Sequence, residues 1–199
     1  MVVQGASKKR CKQLKNSIGV IEFRCIANGI EAADGIVKAG PVELLTATII
    51  CPGRFIVLVA GEVGAVTAAI SWGKNNYSTE VVCDTVIPHV HPEIIRALRK
   101  ETKLGDRPQA LGVVETSAVT PCILAADAAV KGANISLHRI VVARHLGGKA
   151  VAVFTGAVSA VQTAVQQATA AAGKKLVATA VVPSPATQLW ERLLRRGVV

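Results

Sequence analysis

The residues of this chain most able to carry metal or redox chemistry are its cysteines. They are Cys11, Cys25, Cys51, Cys83 and Cys122. Their number is odd and no two form a CxxC pair, so we expect neither a disulfide framework nor a zinc knuckle built from one chain. His89 and His91, in the segment PHVHP, have a spacing compatible with metal ligands, but the segment favours a strand-end turn with two exposed histidines. Glu22 and Glu115 supply one carboxylate per half of the chain, and no nucleophile has a paired base, so catalysis is not predicted.

Much of the positive charge lies near the N-terminus. Lysine and arginine number 23 against 13 acidic residues, which makes a formal net charge of +10 over 199 residues. Residues 1–17 hold five basic residues and no acidic one, which predicts a basic, disordered arm. The remainder is mildly basic and 51% of the chain is apolar, as in folded proteins. Without a signal-peptide pattern or a membrane-length apolar run, we expect a cytoplasmic protein with reduced thiols.

The chain is a tandem repeat. Residues 18–50 align with residues 111–143 at an offset of 93, with 10 identical pairs that include Asp34 with Asp127 and Lys38 with Lys131. After a two-residue insertion the offset becomes 95, and glycines and a proline continue the match. Self-similarity of this kind predicts two copies of one structural module. We therefore divide the chain into the arm at 1–17, a first module at 18–105 and a second at 106–199.

Each module is predicted to run strand, helix, strand, strand, helix, strand, and to close with a short helix. Apolar residues at helical spacing place the first helix of each copy. They are Ile26, Ile30, Ala33 and Val37 in the first copy, and Val119, Ile123, Ala126 and Val130 in the second. This order predicts an α+β fold, with two ferredoxin-like modules that each have an antiparallel sheet and helices on one face. Since many unrelated activities share that fold, function has to be inferred from the site.

Both modules carry a pattern that resembles one known family. The first reads GVIE…AADGIVKA…GR…GEVGAV and the second GVVE…AADAAVKG…GGK…GAVSAV, which is similar to the bacterial microcompartment shell domain. Two copies in one chain resemble the tandem, trimer-forming class of these shell proteins. The resemblance implies a homotrimeric, pseudohexagonal disc that tiles with other shell proteins into the shell of a cytoplasmic protein organelle. It implies a structural protein, not an enzyme, with neither nucleic acid nor membrane as a partner.

The loop after the second strand resembles that of one subgroup of this family. Its first-copy sequence, ICPGRF at residues 50–55, is similar to the propanediol-utilisation type T members of the family. That resemblance implies that the loop points to the disc's three-fold axis and that Cys51 from each of three chains binds one shared [4Fe-4S] cluster. The cluster would transfer electrons across the shell or be delivered to an enclosed enzyme. The other residues implied to line the axis are Pro52, Gly53, Arg54, Arg144, His145, Leu146, Gly147 and Gly148.

The chemistry of these residues is compatible with that implication. An iron–sulfur cluster needs thiolates, and three-fold symmetry converts one cysteine into three convergent ligands. The fourth iron would then need water, a small molecule or an outside group. Arg144 and His145 would favour anionic species if they face the axis, whereas on the disc face they would only meet solvent.

Lys38 and Lys131 end the first helix of each module. A lysine there favours the helix dipole, and by the resemblance it also contacts its counterpart in the next disc at the shell edge. The presence of this lysine in both copies favours the tiling role.

Three other functions are compatible with the sequence. The first is a shell tile without a cluster, in which the centre is a pore for small metabolites. The second is a tandem ferredoxin-like protein that binds nucleic acid, which the low aromatic content and the concentration of charge in the arm disfavour. The third is a duplicated sensor domain that binds a small molecule and does not assemble.

Overall fold

The computed structural model describes residues 16–101, 108–142 and 147–195. The predicted arm lies, for residues 1–15, outside the described residues. The first module consists of β1 (Ser17–Phe23), α1 (Ile26–Lys38), β2 (Glu43–Ile50), β3 (Arg54–Gly61), α2 (Val63–Asn76), β4 (Val81–Ile87) and α3 (Pro92–Leu98). The second consists of β5 (Ala110–Thr116), α4 (Val119–Gly132), β6 (Ile135–Val142), β7 (Ala150–Gly156), α5 (Val158–Ala172), β8 (Leu176–Pro183) and α6 (Thr187–Arg195).

The two modules contain the same four-stranded antiparallel sheet. The strand order is β2-β3-β1-β4 in the first and β6-β7-β5-β8 in the second. The first two strands of each module are not neighbours, because the third strand pairs between them after the crossover through α1 or α4. This topology confirms the predicted tandem ferredoxin-like α+β fold. Among the described residues, no helix is long and apolar enough to span a membrane.

The side chains of β1 contribute alternately to two apolar clusters. Ile21 and Phe23 share one apolar cluster with α1 and α2, whereas Ile18 and Val20 belong to another that includes α3. Side chains on a strand point alternately to the two faces of its sheet, so both faces of this sheet are covered. The paired helices α1 and α2 lie on one face, as predicted, and the closing helix takes part in the apolar layer on the other.

The closing helix α3 joins the modules. It packs against β6 and α4 of the second module, and its residues Ile94 and Leu98 share a single core cluster with Ile123 and Leu137. The Glu93 carboxylate accepts a hydrogen bond of 2.9 Å from the backbone N–H of Leu137, beside a register shift in β6. The two modules are therefore packed together through a continuous apolar interface with a polar anchor at its edge.

The last helix, α6, packs on its own module. Trp190 is buried against Leu111 of β5 and Val153 of β7. Its ring also makes an edge contact with His138, whose Nε2 lies 2.6 Å from the hydroxyl of Thr155. In the cluster that contains Trp190, the apolar partners of α6 all belong to the second module.

Candidate functional site

The turn that carries Cys51 is short and lies between two paired strands. Ile50 of β2 pairs with Arg54 of β3, so only Cys51, Pro52 and Gly53 form the connection. Cys51 is half-buried and the other two are exposed. Gly53 has φ of +70°, a conformation that L-residues adopt at a cost, which explains a glycine at this position. The fold therefore presents a single thiol at the tip of the β2–β3 hairpin.

The corresponding turn of the second module meets the Cys51 turn. Gly147 and Gly148 both have positive φ, +61° and +86°. A β-carbon added to Gly148 would lie 3.1 Å from the carbonyl oxygen of Cys51. The structure thus brings Cys51, Gly53, Gly147 and Gly148 into two adjacent turns. The other residues expected in the second turn, Arg144, His145 and Leu146, lie outside the described residues.

An ion pair stands at the base of each turn. Arg54 Nη1 is 3.7 Å from Glu22 Oε2 in the first module, and Lys149 Nζ is 2.9 Å from Glu115 Oε1 in the second. Burial raises the pKa of Glu22, and the nearby Arg54 guanidinium opposes that rise. Sequence reasoning noted the recurring glutamates without finding a role for them. The signal was present, because Arg54 and Lys149 align at the offset of 95 and supply a cation in both copies.

The remaining described thiols lie outside the two turns. Burial raises the pKa of Cys122 to about 12, and burial together with the Glu22 carboxylate raises that of Cys83 to about 11. Cys25 is exposed at the start of α1, and Cys11 lies outside the described residues. Among the described residues of one chain, no group of three or more His, Cys, Asp or Glu could hold a metal ion. A cluster ligated by Cys51 would need thiols from further chains.

The two lysines predicted at the shell edge have different surroundings. Lys131 donates a hydrogen bond of 2.7 Å to the carbonyl of His89, and Asp127, four residues before it, accepts one of 2.7 Å from the backbone N–H of His91. Among the contacts described for Lys38, its ion pair is with Asp34 on the same helix. Lys131 therefore helps to hold the modules together, while the tiling role of both lysines stays a prediction.

The histidine turn has a structural role. His89 is exposed with φ of +53°, and His91 is the N-cap of α3, where its Nδ1 accepts a hydrogen bond from the Glu93 backbone. The expected strand-end turn is present, but of its two histidines only His89 is exposed. Its contacts with α4 were not visible in the sequence.

Comparison with known proteins identifies the class to which this arrangement belongs. The family model described as "BMC domain" matches the chain twice, at residues 17–90 and 110–185. The chain therefore belongs to the BMC-domain family, as a tandem member with two domains. The bacterial microcompartment shell protein PduT of Citrobacter freundii is 39% identical over 183 residues, which cover 91% of this chain and 99% of that protein.

Other relatives agree with that assignment. A microcompartment protein from Desulfitobacterium hafniense DCB has a known crystal structure that is 39% identical, covers 87% of this chain and 97% of that one, and superposes with a TM-score of 0.85. The carboxysome shell protein CsoS1A of Hydrogenovibrio crunogenus is 36% identical over 90 residues, 44% of this chain and 94% of that protein. A fused permuted hexameric shell protein shares the fold at 19% identity, with a TM-score of 0.56. The prediction of a microcompartment shell protein, not an enzyme, is confirmed.

Proposed function

We propose that this chain forms a homotrimeric shell tile that holds one [4Fe-4S] cluster on its three-fold axis through Cys51 of each chain. Three chains contribute six modules, which suits a pseudohexagonal tile beside other shell proteins. When bound, the cluster would supply one-electron transfer between the two sides of the shell, or would be delivered to an enclosed enzyme. The trimer and the cluster are supported by different observations and are argued in turn.

The observation that carries the trimer is a difference in exposure between equivalent residues. Ile30 and Leu44 of the first module are 56% and 43% exposed, whereas Ile123 and Leu137, their counterparts in the second, are 0% and 3% exposed. In the second module α3 of the first covers these positions. The first module has the same apolar surface, and none of the helices described for the chain covers it. Large apolar patches of this kind mark protein interfaces.

The polar contacts follow the same division. The side chain of Asp127 is 12% exposed beneath the His89–His91 turn, whereas that of Asp34 is 65% exposed. At the offset of 95, Ser184 and Ala186 correspond to the two histidines, and Ser184 shares the positive φ, +46° against +53° for His89. We infer that Asp34 accepts a hydrogen bond from the Ala186 backbone of a neighbouring chain.

The second module supplies the complementary surface. Leu189 on α6 is exposed, although its counterpart on α3, Ile94, is fully buried. The α6 surface of one chain can therefore cover α1 and β2 of the next, as α3 covers α4 and β6 within the chain. An interface between two different surfaces either closes into a ring or continues as a filament. With a rotation of about 60° between successive modules, three chains close the ring.

The same rotation supports an axial position for Cys51. In a six-fold arrangement, the distance between equivalent points of two neighbouring modules equals the distance of either point from the axis. The turns at Cys51 and Gly148 are in contact, so both turns would lie close to that axis. Residues far from this contact, by contrast, would lie nearer the rim of the tile.

The donor set fits an iron–sulfur cluster. Thiolates are the preferred ligands of such clusters, and a half-buried cysteine at a hairpin tip can approach its copies from other chains. At the offset of 95, Leu146 stands where the first module has Cys51, so a trimer would present three thiols at its centre. The fourth iron would take a ligand from outside the protein.

The experiment is to purify the protein without oxygen and to measure its mass, visible absorption, iron and sulfide. We expect a brown trimer with about one four-iron cluster per three chains, lost in Cys51→Ser and retained in the control Cys83→Ser. A colourless trimer that is identical in Cys51→Ser would refute the cluster and favour the tile with a central metabolite pore. A monomer under all conditions would refute the trimer.

A further inference from the structure

Among the described glycines of the two hairpin turns, one closely approaches the other turn. A β-carbon on Gly148 would be 3.1 Å from the Cys51 carbonyl oxygen, closer than an ordinary van der Waals contact. A β-carbon on Gly147, the adjacent residue in the same turn, would meet nothing within 4 Å, and the same is true of Gly53. All three glycines have positive φ, so conformation alone does not distinguish them. Gly148 differs because its missing side chain leaves the space that the Cys51 backbone occupies.

We propose that Gly148 is a positioning residue for Cys51, so that the second module sets the geometry of the ligand that the first module supplies. The inference rests on the proposed cluster and deepens it. A side chain on Gly148 would push the Cys51 carbonyl away. The thiol would move with it, because both groups are attached to the same α-carbon.

An ion pair holds the residue that follows each contact point. Arg54 follows the Cys51 turn directly and is paired with Glu22 on β1. Lys149 follows Gly148 directly and is paired with Glu115 on β5. These ion pairs tie the two turns to β1 and β5, and the sheets are held together by α3. Because Ile50 and Arg54 are paired at its two ends, a displacement of the Cys51 turn would be confined to the three residues that carry the thiol.

The sequence difference between the two turns agrees with this division of roles. Cys51 corresponds to Leu146, and Pro52 to Gly147, so the second module has lost or never had the ligand and carries two consecutive glycines instead. A cluster site requires its ligands within about 0.5 Å of the productive geometry, and the trimer repeats any displacement three times. One supporting glycine per chain would then be sufficient to affect the whole site.

The test compares Gly148 with a glycine outside the site. Gly148→Ala and Gly148→Leu are matched with Gly173→Ala and Gly173→Leu, since Gly173 also has positive φ and an added β-carbon there meets nothing within 4 Å, but it lies at the end of α5. Three properties are measured after anaerobic purification: iron per trimer, the electron paramagnetic resonance spectrum of the reduced protein, and the rate at which iodoacetamide alkylates Cys51 in protein stripped of iron. Trimer mass and melting temperature establish that paired variants are equally folded.

We expect both Gly148 variants to hold about half or less of the wild-type iron, with an altered spectrum and an alkylation rate changed about threefold or more, the leucine variant more than the alanine one. The Gly173 variants should match the wild type. Equal results for the Gly173 and Gly148 pairs in iron, spectrum and alkylation would overturn the inference. If the wild type contains no iron, the proposed cluster fails, and the alkylation rates alone decide whether Gly148 positions Cys51.

Discussion

Replacement of Asp34 by alanine should dissociate the trimer without unfolding the chain. Within one chain, the equivalent Asp127 accepts a 2.7 Å hydrogen bond from the His91 backbone across the module interface. If the neighbouring chain makes the same contact, Asp34→Ala leaves a backbone N–H without its acceptor in each interface between chains. In the separated chain Asp34 is largely exposed and contacts only Lys38 among its described partners, so its loss there is nearly neutral.

The expected size of the effect follows from the number of interfaces. A hydrogen bond to a charged group contributes about 1.5–3 kcal/mol, and a closed trimer contains three such contacts, so the assembly loses about 5–9 kcal/mol. Since 1.4 kcal/mol is a factor of ten, the equilibrium between trimer and monomer shifts by roughly 10³ to 10⁶. The protein concentration at which half of the trimer is dissociated varies as the square root of the trimer–monomer equilibrium constant. This concentration should therefore rise roughly 30- to 1,000-fold.

Mass photometry over a dilution series measures this concentration directly. Glu31→Ala is the matched control, because Glu31 lies on the same helix and its counterpart, Leu124, stays exposed in the assembled second module. Urea unfolding of both variants at a concentration where each is monomeric should give the same midpoint. If Asp34→Ala and Glu31→Ala dissociate at the same concentration, the equivalence between the two interfaces is wrong.

Two further predictions concern titratable groups. Burial lowers the pKa of His138, so the unfolded chain binds a proton more readily than the folded chain does. The free energy of unfolding should therefore fall as the pH decreases from about 6.5. Urea titrations at pH 7 and pH 5 should show that His138→Phe reduces this dependence. A slope equal to that of the wild type would contradict this assignment. In the folded, iron-free protein at pH 8, alkylation followed by mass mapping should modify Cys51 well before Cys122, whose pKa of about 12 leaves almost no thiolate, and unfolding should remove the difference. Equal rates in the folded protein would show that Cys122 is accessible.

The sequence predicted the fold well because the relevant signals are local or repeated. The order of strands and helices followed from apolar spacing, and two copies of one pattern reinforced each other. The first helix of the first module was predicted correctly, but Ile30 and Val37 on its apolar spacing are exposed in the chain. Their counterparts, Ile123 and Val130, pack in the core cluster that α3 completes. A periodic pattern identifies an apolar face without telling whether the chain itself or another chain covers it.

The candidate site was predictable only in part. Cys51 and the glycines were singled out by residue type and by resemblance, since thiols ligate iron and glycines tolerate tight turns. The ion pairs Glu22–Arg54 and Glu115–Lys149 were missed, because each joins residues more than thirty positions apart in the sequence. The role of Lys131 in the module interface was missed for the same reason.

By itself, the sequence determined that the chain is two copies of one α+β module, and its resemblance to a known family singled out Cys51 among the five cysteines. Only the tertiary structure decided that α3 covers the second module, that the equivalent surface of the first module is left exposed, and that Gly148 touches the Cys51 carbonyl. The physical reason is that local propensity depends on near neighbours along the chain. Burial and close approach depend on how two whole modules pack, and two copies of one repeat acquire different surroundings when one is covered within the chain and the other is not.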